Sequence, residues 1–539
     1  MKKATKKQSE ILKHNGNIVV TASPGSGKTF TLVEKIRLVL NNLKSYQGVI
    51  AISYTNKASK EVKSRLKNIE MKNSFIGTLD SFYITEIIIP FSKHITGKNI
   101  DIDIISDLEE ESILDELNSG NPRQTVLNRL IKWLESGEIP LNKSAEIAYF
   151  FLNNIPESLN YILARYKYIF IDEYQDCSKS QHNIFRFLIS KGMVGFCVGD
   201  TKQSIYGYAK KSPEYLRELT SDNKFKHFEL SENMRSHPSI VDYSTRLLDE
   251  NHIITHYSSG ESRVKKITVD GDEAGIMYGI EKSLENIKRH YGVEANSKIA
   301  LLCRKNSTVR RLKEYCNFAC KAYLSNPFDK IKNRNRTIDL ISKILFAYYE
   351  YKDRSLTIIE FCDEFFELLK NDRIKLRNVV SKIFNADEAE LSNHIDDIQK
   401  YLSLVDGKKL PMHQVSFLKT ILYDPEKLEY FKPAKDDEIQ IMSFHKAKGL
   451  EFEITFLFDN YKYILPAEWE NKYTNYDEDL RLHYVALTRA SKVCYIMQGN
   501  LRYRERHNDL IQAKDSIFLS INGLPSYRKN LFWSKQNIK

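Results

Sequence analysis

Short apolar runs alternate with longer amphipathic stretches along most of this chain. Ile18-Val19-Val20 precedes an amphipathic segment from Phe30 to Leu40. Val49 to Ser53 leads into a helix opened by Tyr54 to Ala58, and Ser74 to Thr78 leads into Leu79 to Phe82. Tyr168 to Asp172 and Gly195 to Gly199 are runs of the same kind, and the pattern returns in Lys266–Val269, Glu273 to Ile287, Ile299 to Cys303 and Val493 to Met497. Short apolar runs bounded by turn residues read as buried strands, and their alternation with helical periodicity predicts an α/β fold with parallel sheets. Two stretches break the rhythm. From about 90 to 160 an acidic run, Asp107 to Glu111, gives way to apolar positions at helical spacing through Leu127, Leu130, Trp133 and Leu134, then Ile147 to Leu152. From about 328 to 432 the chain is rich in Lys, Arg and aromatics (Arg334, Arg336, Tyr348, Tyr349, Tyr351, Phe365, Phe366). Both read as helical insertions, and the aromatics of the second read as core, not as a binding face.

At 539 residues the chain is too long for one core and divides into about three or four domains. Hydrophobic content of 42% with 28% charged residues excludes a disordered chain. Lys+Arg of 81 against Asp+Glu of 70 gives +11, which favours a polyanionic partner. No apolar run approaches the roughly 18 residues a membrane helix needs. Lys2, Lys3, Lys6 and Lys7 are followed by no apolar stretch that would make a signal peptide. Seven cysteines without Cys-x-x-Cys read as reduced thiols of a cytoplasmic protein. Cys316 and Cys320 lie one helical turn apart, but no second ligand pair accompanies them, so no metal site is read there.

The chemistry is concentrated at strand ends. Ala22-Ser23-Pro24-Gly25-Ser26-Gly27-Lys28-Thr29 joins an apolar strand to a helix, the context of a phosphate-binding loop. Gly25 and Gly27 let backbone N–H groups turn toward an anion, and the helix N-terminus adds positive potential. Lys28 would reach the β- and γ-phosphates of a nucleotide, and the Thr29 hydroxyl would ligate Mg²⁺. A second strand, Tyr168 to Asp172, runs directly into Glu173, placing two carboxylates at a strand's C-terminal edge. Asp172 would hold Mg²⁺, while Glu173 would orient and deprotonate an attacking water. Upstream, Gln8 has the paired donor and acceptor to read an adenine edge. Gln203, just beyond a third strand, can sense a γ-phosphate, and Tyr206 and Tyr208 can present rings to bases.

Gln8, Ala22–Thr29, Tyr54–Ala58, Gly77–Ser81, Ile171–Asp176 and Val198–Tyr208, taken in order, resemble the motifs of UvrD/PcrA/Rep-like superfamily 1A DNA helicases. Leu230 to Ser236 resembles the family's motif IV, Ile441 to Phe452 its motif V and Tyr484 to Ala490 its motif VI. The resemblance implies two RecA-like P-loop NTPase domains, each interrupted by a mainly helical insertion. The first (1A) would comprise 1–90 and 160–244, interrupted by 91–159 (1B). The second (2A) would comprise 245–327 and 433–539, interrupted by an abbreviated 328–432 (2B). It further implies that Arg235 and Arg489 stabilise phosphate charge from two sides of a cleft and that Glu451 accepts a bond from the ribose. Tyr54, Thr55, Asn56, Thr78, Tyr206 and Tyr208 would contact DNA. Phe30 stands where an adenine-packing arginine is usual, Met234 where a stacking tyrosine is usual, and Asp80 where a histidine is usual.

Among these helicases the chain is most similar to the helicase-like subunits of Gabija-type anti-phage systems, by its length, its short 2B and the run from Ile76 to Phe91. That similarity implies an OLD-family ATPase/Toprim nuclease partner. The expected activity is Mg²⁺-dependent ATP hydrolysis driving 3′ to 5′ translocation on single-stranded or 3′-tailed DNA. A regulatory NTPase that activates a partner nuclease with little unwinding of its own is the alternative. Nothing in the sequence resembles a fused nuclease.

Overall fold

The computed structural model describes residues 4–534 except 54–55, 68, 100–102, 106–110, 120–121, 206–211, 255–261, 332–335, 364, 366–371, 470–471 and 506. Two parallel sheets organise it. The first contains β1 (Ile18–Ala22), β2 (Gly48–Ile52), β3 (Phe75–Gly77), β4 (Tyr166–Ile171), β5 (Val194–Gly199) and β6 (Lys226–Leu230), in the order β3-β2-β4-β5-β1-β6. The second contains β7 (Val264–Val269), β8 (Ile299–Cys303), β9 (Cys320–Ala322), β10 (Ile439–Ser443), β11 (Phe452–Leu457), β12 (Ala490–Gly499) and β13 (Lys529–Trp533). Their order is β9-β10-β8-β11-β12-β7-β13.

The apolar runs form strands because both faces of each sheet are covered. Along β1 and β4, Ile18, Val20 and Phe170 enter one buried cluster with Leu32, Ile36 and Leu40 of the helix Lys28–Asn42. Their neighbours Val19, Ile169 and Ile171 enter another on the opposite face. The second sheet divides in the same way. Leu302, Met442 and Ile496 face one cluster, and Leu301, Ile441 and Tyr495 face the other. Continuous apolar strands without polar alternation are what a parallel sheet buried on both sides requires. The fold is the expected α/β pair of RecA-like layers.

The insertions differ from one another. Residues between β3 and β4 supply Leu114, Leu130, Leu134, Ile147 and Phe151 to the same cluster that holds Ile169 and Ile171, so this block shares the first sheet's core. It is not purely helical, because Asp103–Ile105 and Glu138–Pro140 pair as short parallel strands. The second block has its own core, built from Phe328 to Phe431 around the helices Arg336–Lys352, Arg373–Asn385 and Ile395–Asp406. Tyr348, Tyr349 and Phe365 are buried within it and Tyr351 packs against it; Arg334 and Phe366 lie outside the described residues. The helix Pro238–Leu248 follows the first sheet in sequence but buries Ile240, Tyr243 and Leu247 against the second. β13 extends the second sheet beyond β7 at its edge. Among the described residues no helix is long and apolar enough to cross a membrane, and all seven cysteines are free thiols.

Candidate nucleotide site and nucleic-acid groove

The glycine-rich loop leaves the C-terminal end of β1, held by Ser23 N donating to the Leu230 carbonyl of β6 (2.9 Å). Gly25 (φ 72°) and Gly27 (φ 84°) both occupy the left-handed region that only glycine enters without strain. Space demands glycine as well. A Cβ at Gly25 would stand 2.6 Å from Asn233 Oδ1 and 2.8 Å from Arg235 Cβ. The loop is therefore in close contact with the segment after β6. Met234 N donates to the Gly25 carbonyl (3.0 Å), and Asn233 Oδ1 accepts from the backbone N–H groups of Arg235 and Ser236 (2.8 Å each). This turn brings the base of the Arg235 side chain against the loop and leaves its guanidinium to reach Glu451 and Thr488.

Lys28 opens the helix and places its Nζ 3.3 Å from Glu173 Oε1. Glu173 stands two residues past the end of β4 and has a left-handed backbone (φ 54°, ψ 43°), a conformation costly for a residue with a side chain and one that concentrates at functional sites. Its backbone N–H donates to Asp172 Oδ1 (2.9 Å), and its carboxylate also accepts from Gln175. Burial alone would raise the Glu173 carboxyl, but Lys28 and Lys448 hold it below the usual carboxylate range. Burial likewise works against the charge of Lys28, and Glu173, Asp200 and Asp172 outweigh it. The pair is therefore ionised on both sides.

Gln203 ends the short helical turn Thr201–Gln203 beyond β5. Its Nε2 donates to Asp200 Oδ2 (2.6 Å), and its Oε1 accepts from Arg489 Nη2 (3.2 Å) across the gap between the sheets. Arg489 is 2% exposed and donates also to the carbonyls of Val485 (3.0 Å) and Leu450 (3.1 Å). Burial, then the charge of Arg235, lower it to about 10, so it remains a cation at neutral pH. Arg235 Nη1 donates to Glu451 Oε1 (2.6 Å) and Nη2 to the Thr488 carbonyl (2.8 Å). Two bridging residues complete the chain of contacts: Gln175, which donates to Glu173, accepts from Asp200 N (2.9 Å), and the Thr488 hydroxyl accepts from Arg489 Nη2 (3.0 Å), so Lys28, Glu173, Gln203, Arg489 and Arg235 are linked. Glu451, expected against a ribose, is paired with Arg235 here.

The base slot is less polar than the loop. Gln8 is 2% exposed; its Oε1 accepts from Thr5 N (2.9 Å) as the third residue of a capping box, and its Nε2 donates to the Ser26 carbonyl (3.3 Å). It braces the phosphate loop through the helix Lys6–Lys13. Met234, about half exposed, reaches over Gly27, and Phe30 is half-buried in the first turn of the helix. The residues that could hold Mg²⁺ are Thr29, by its hydroxyl, and Asp172, by its carboxylate, both hard oxygens of the type this ion takes. No cluster of three or more His, Cys, Asp or Glu side chains suited to a metal occurs among the described residues. Two protein oxygens fit an ion whose remaining positions belong to phosphate and water.

Comparison with known proteins accords with this geometry. The family model for the UvrD/REP helicase N-terminal domain matches residues 4–136 and 133–224, and that for the UvrD-like helicase C-terminal domain matches 326–500. The chain belongs to the UvrD-like helicases. Gabija protein GajB of Bacillus cereus (strain VD045) is 27% identical, covering 92% of this chain and 96% of the relative. A probable DNA helicase II homolog of Rickettsia felis is 25% identical (92% of each chain), and an ATP-dependent DNA helicase PcrA of Staphylococcus epidermidis 21% (93% and 84%). This UvrD-like helicase is an ATP-hydrolysing, DNA-binding enzyme.

The nucleic-acid contacts expected of the helicase are only partly visible. Tyr54, Thr55, Tyr206 and Tyr208 lie outside the described residues; Asn56 begins the helix Asn56–Arg65. The Thr78 hydroxyl caps the helix Leu79–Phe82 by accepting from Ser81 N (3.3 Å). Asp80, expected to bring negative charge near DNA, accepts from Ser144 Oγ (2.8 Å) of the first insertion. A groove of about 660 Å³ that the motifs do not announce opens at the C-terminal ends of β8 and β10; Arg304, Lys305, His445 and Lys446 line it together with the acidic Glu478 and Asp479, and Arg304 is paired with Asp479 (3.0 Å). Asp459 Oδ2 accepts from the backbone N–H of Arg304 (2.9 Å) and Lys305 (3.0 Å), presenting that basic turn. Burial, then Arg304, lower His445 to about 4, leaving a neutral imidazole among the cations. The available signal was local: two strands, each ending in a cluster of long basic side chains.

Proposed function

We propose that this helicase hydrolyses ATP with Mg²⁺ at the Lys28–Glu173 site and uses the cycle to move 3′ to 5′ along single-stranded DNA. In this reading it is the cytoplasmic helicase-like subunit of a Gabija-type anti-phage complex, with an OLD-family ATPase/Toprim nuclease beside it. The supporting observation is the convergence of Lys28 and Glu173 with Gln203, Arg235 and Arg489, drawn from segments on both sheets. On nucleotide binding Lys28 leaves Glu173 for the β- and γ-phosphates. Glu173, already a carboxylate, then orients the attacking water and takes its proton. Thr29 and Asp172 hold Mg²⁺, which when bound neutralises charge on the phosphate oxygens. Arg235 and Arg489 stabilise the phosphoryl group as it transfers, and the arginine fork suits that task. Gln203 carries the state of the γ-phosphate toward Tyr206 and Tyr208, which stack on the strand. The Gabija assignment draws on the similarity to GajB over nearly the whole of both chains.

The deciding experiment is ATP hydrolysis with and without single-stranded DNA, alongside Glu173→Gln, followed by unwinding of a 3′-tailed duplex. DNA-stimulated turnover that vanishes in Glu173→Gln is expected. Turnover indifferent to DNA would replace the translocase with a regulatory NTPase, and full turnover in Glu173→Gln would overturn the site.

A further inference from the structure

Lys448 lies in the loop between β10 and β11, on the second sheet, yet its ammonium is spent on the first. Its Nζ donates to Asp176 Oδ2 (2.5 Å) and to the main-chain carbonyl of Gln203 (2.9 Å). Asp176 ends the turn Tyr174–Asp176 immediately after Glu173, and Gln203 ends the turn after β5. One cation therefore grips two catalytic turns from across the gap. The pair is buried, with the Lys448 side chain 8% and the Asp176 side chain 0% exposed. Beside it, Arg481 Nε donates to the Ser204 carbonyl (2.7 Å), a second bond of the same sense.

A buried ion pair is costly to separate unless water reaches both partners. Drawing the sheets apart would break it; bringing them together restores it. Gln203 is then held twice from the second sheet, by Lys448 on its carbonyl and by Arg489 on its amide oxygen. Lys448 thus acts on the reaction in two ways, through the turns it holds and through its charge, which helps keep the Glu173 carboxyl ionised.

We propose that Lys448 is a positioning residue whose pairing with Asp176 and the Gln203 carbonyl locks the two sheets in the arrangement that hydrolysis needs. This rests on the hydrolytic reading above and adds the part that ties domain closure to turnover. Lys448→Met is one atom shorter, keeps an unbranched apolar stem and removes the cation that Lys448 gives the Asp176 carboxylate. Asp176→Asn added to it leaves no stranded charge, and Lys448→Arg restores the cation.

The test measures steady-state ATP turnover at saturating DNA, equilibrium binding of a non-hydrolysable ATP analogue, and energy transfer between dyes on the two sheets. These are read on the full chain for all three variants, each shown to melt as the wild type does. Lys448→Met should lower kcat by about 10- to 100-fold and reduce nucleotide-induced closure, while analogue affinity changes less than about threefold. Asp176→Asn in the Lys448→Met background should recover about tenfold of the lost turnover, and Lys448→Arg should retain most of it. Unchanged kcat in Lys448→Met overturns the proposal. So does an equal fall in analogue affinity, or a double variant no better than the single one. Lys28→Ala separates the two levels. If it abolishes turnover while the Lys448 series behaves as wild type, the inference alone fails; if it leaves turnover intact, the hydrolytic site fails with it.

Discussion

His483 offers a quantitative test of how the second sheet holds its arginine. It lies in the helix Tyr476–Leu487, is 0% exposed, and packs at a tilt on Phe518 with ring centroids 6.0 Å apart. Neither ring nitrogen has a hydrogen-bond partner among the described residues. Burial, then the charge of Arg528, lower it from 6.5 to about 3. The folded protein thus refuses a proton that the unfolded chain accepts. A depressed folded-state value contributes stability that is fully present above pH 6.5 and lost as pH falls toward 3. The whole interval corresponds to about 5 kcal/mol, and about 2 kcal/mol of that is gone by pH 5. At about 2 °C per kcal/mol, melting at pH 5 should fall about 4 °C further in wild type than in His483→Leu. The leucine variant loses no hydrogen bond and should gain about 1 to 3 kcal/mol at pH 7 by removing an unsatisfied polar ring. Differential scanning fluorimetry across pH 7.5 to 5 reads both effects, with ATP turnover followed in parallel because the helix leads into Arg489. Equal slopes for wild type and His483→Leu would refute the assignment of acid lability to this ring.

Two further expectations concern the nucleotide loop. Glu173→Gln removes the internal partner of Lys28, so ATP binding should hold or tighten while kcat falls by about 10² to 10⁴; weakened binding in a fluorescent-nucleotide titration would contradict the exchange of partners. Gly25→Ala forces a Cβ into the contact with Asn233 and Arg235 at a left-handed position, and nucleotide affinity should fall by about tenfold or more. Isothermal titration with a non-hydrolysable ATP analogue checks this, and wild-type affinity would show that the loop does not seat against that segment.

What could be read in the sequence was what local rules encode. The glycines of the phosphate loop and the step from β4 into Asp172-Glu173 declare themselves because strand, turn and charge lie within a few residues. The two sheets were legible for a related reason: a strand buried on both faces must be apolar at nearly every position. Partnerships across the cleft were not legible. Arg489 and Gln203 are separated by 286 residues, and Lys448 and Asp176 by 272. Those motif residues could be located by resemblance, but no periodicity assigns one to the other. Side-chain chemistry alone suits Gln8 to an adenine edge, whereas its capping-box role depends on Thr5 beginning a helix. β13 carries no such signal, because Lys529 to Trp533 forms an edge strand without the apolar run of a central one.

The contrast between the two insertions bears on how this machine can be altered. The block between β3 and β4 is welded to the first sheet, since Leu130, Phe151 and Ile171 belong to one cluster; a change there should reach the strand that leads into Asp172 and Glu173. The block from Phe328 to Phe431 has a core of its own, meets the first insertion where the helix Arg336–Lys352 passes the strand Asp103–Ile105, and leaves the second sheet beside Lys321 and Glu429, which are bonded to each other at its base. Such a module can be exchanged, shortened or enlarged over generations while the nucleotide engine beneath it stays the same. New accessories are therefore most readily acquired on that side of the molecule.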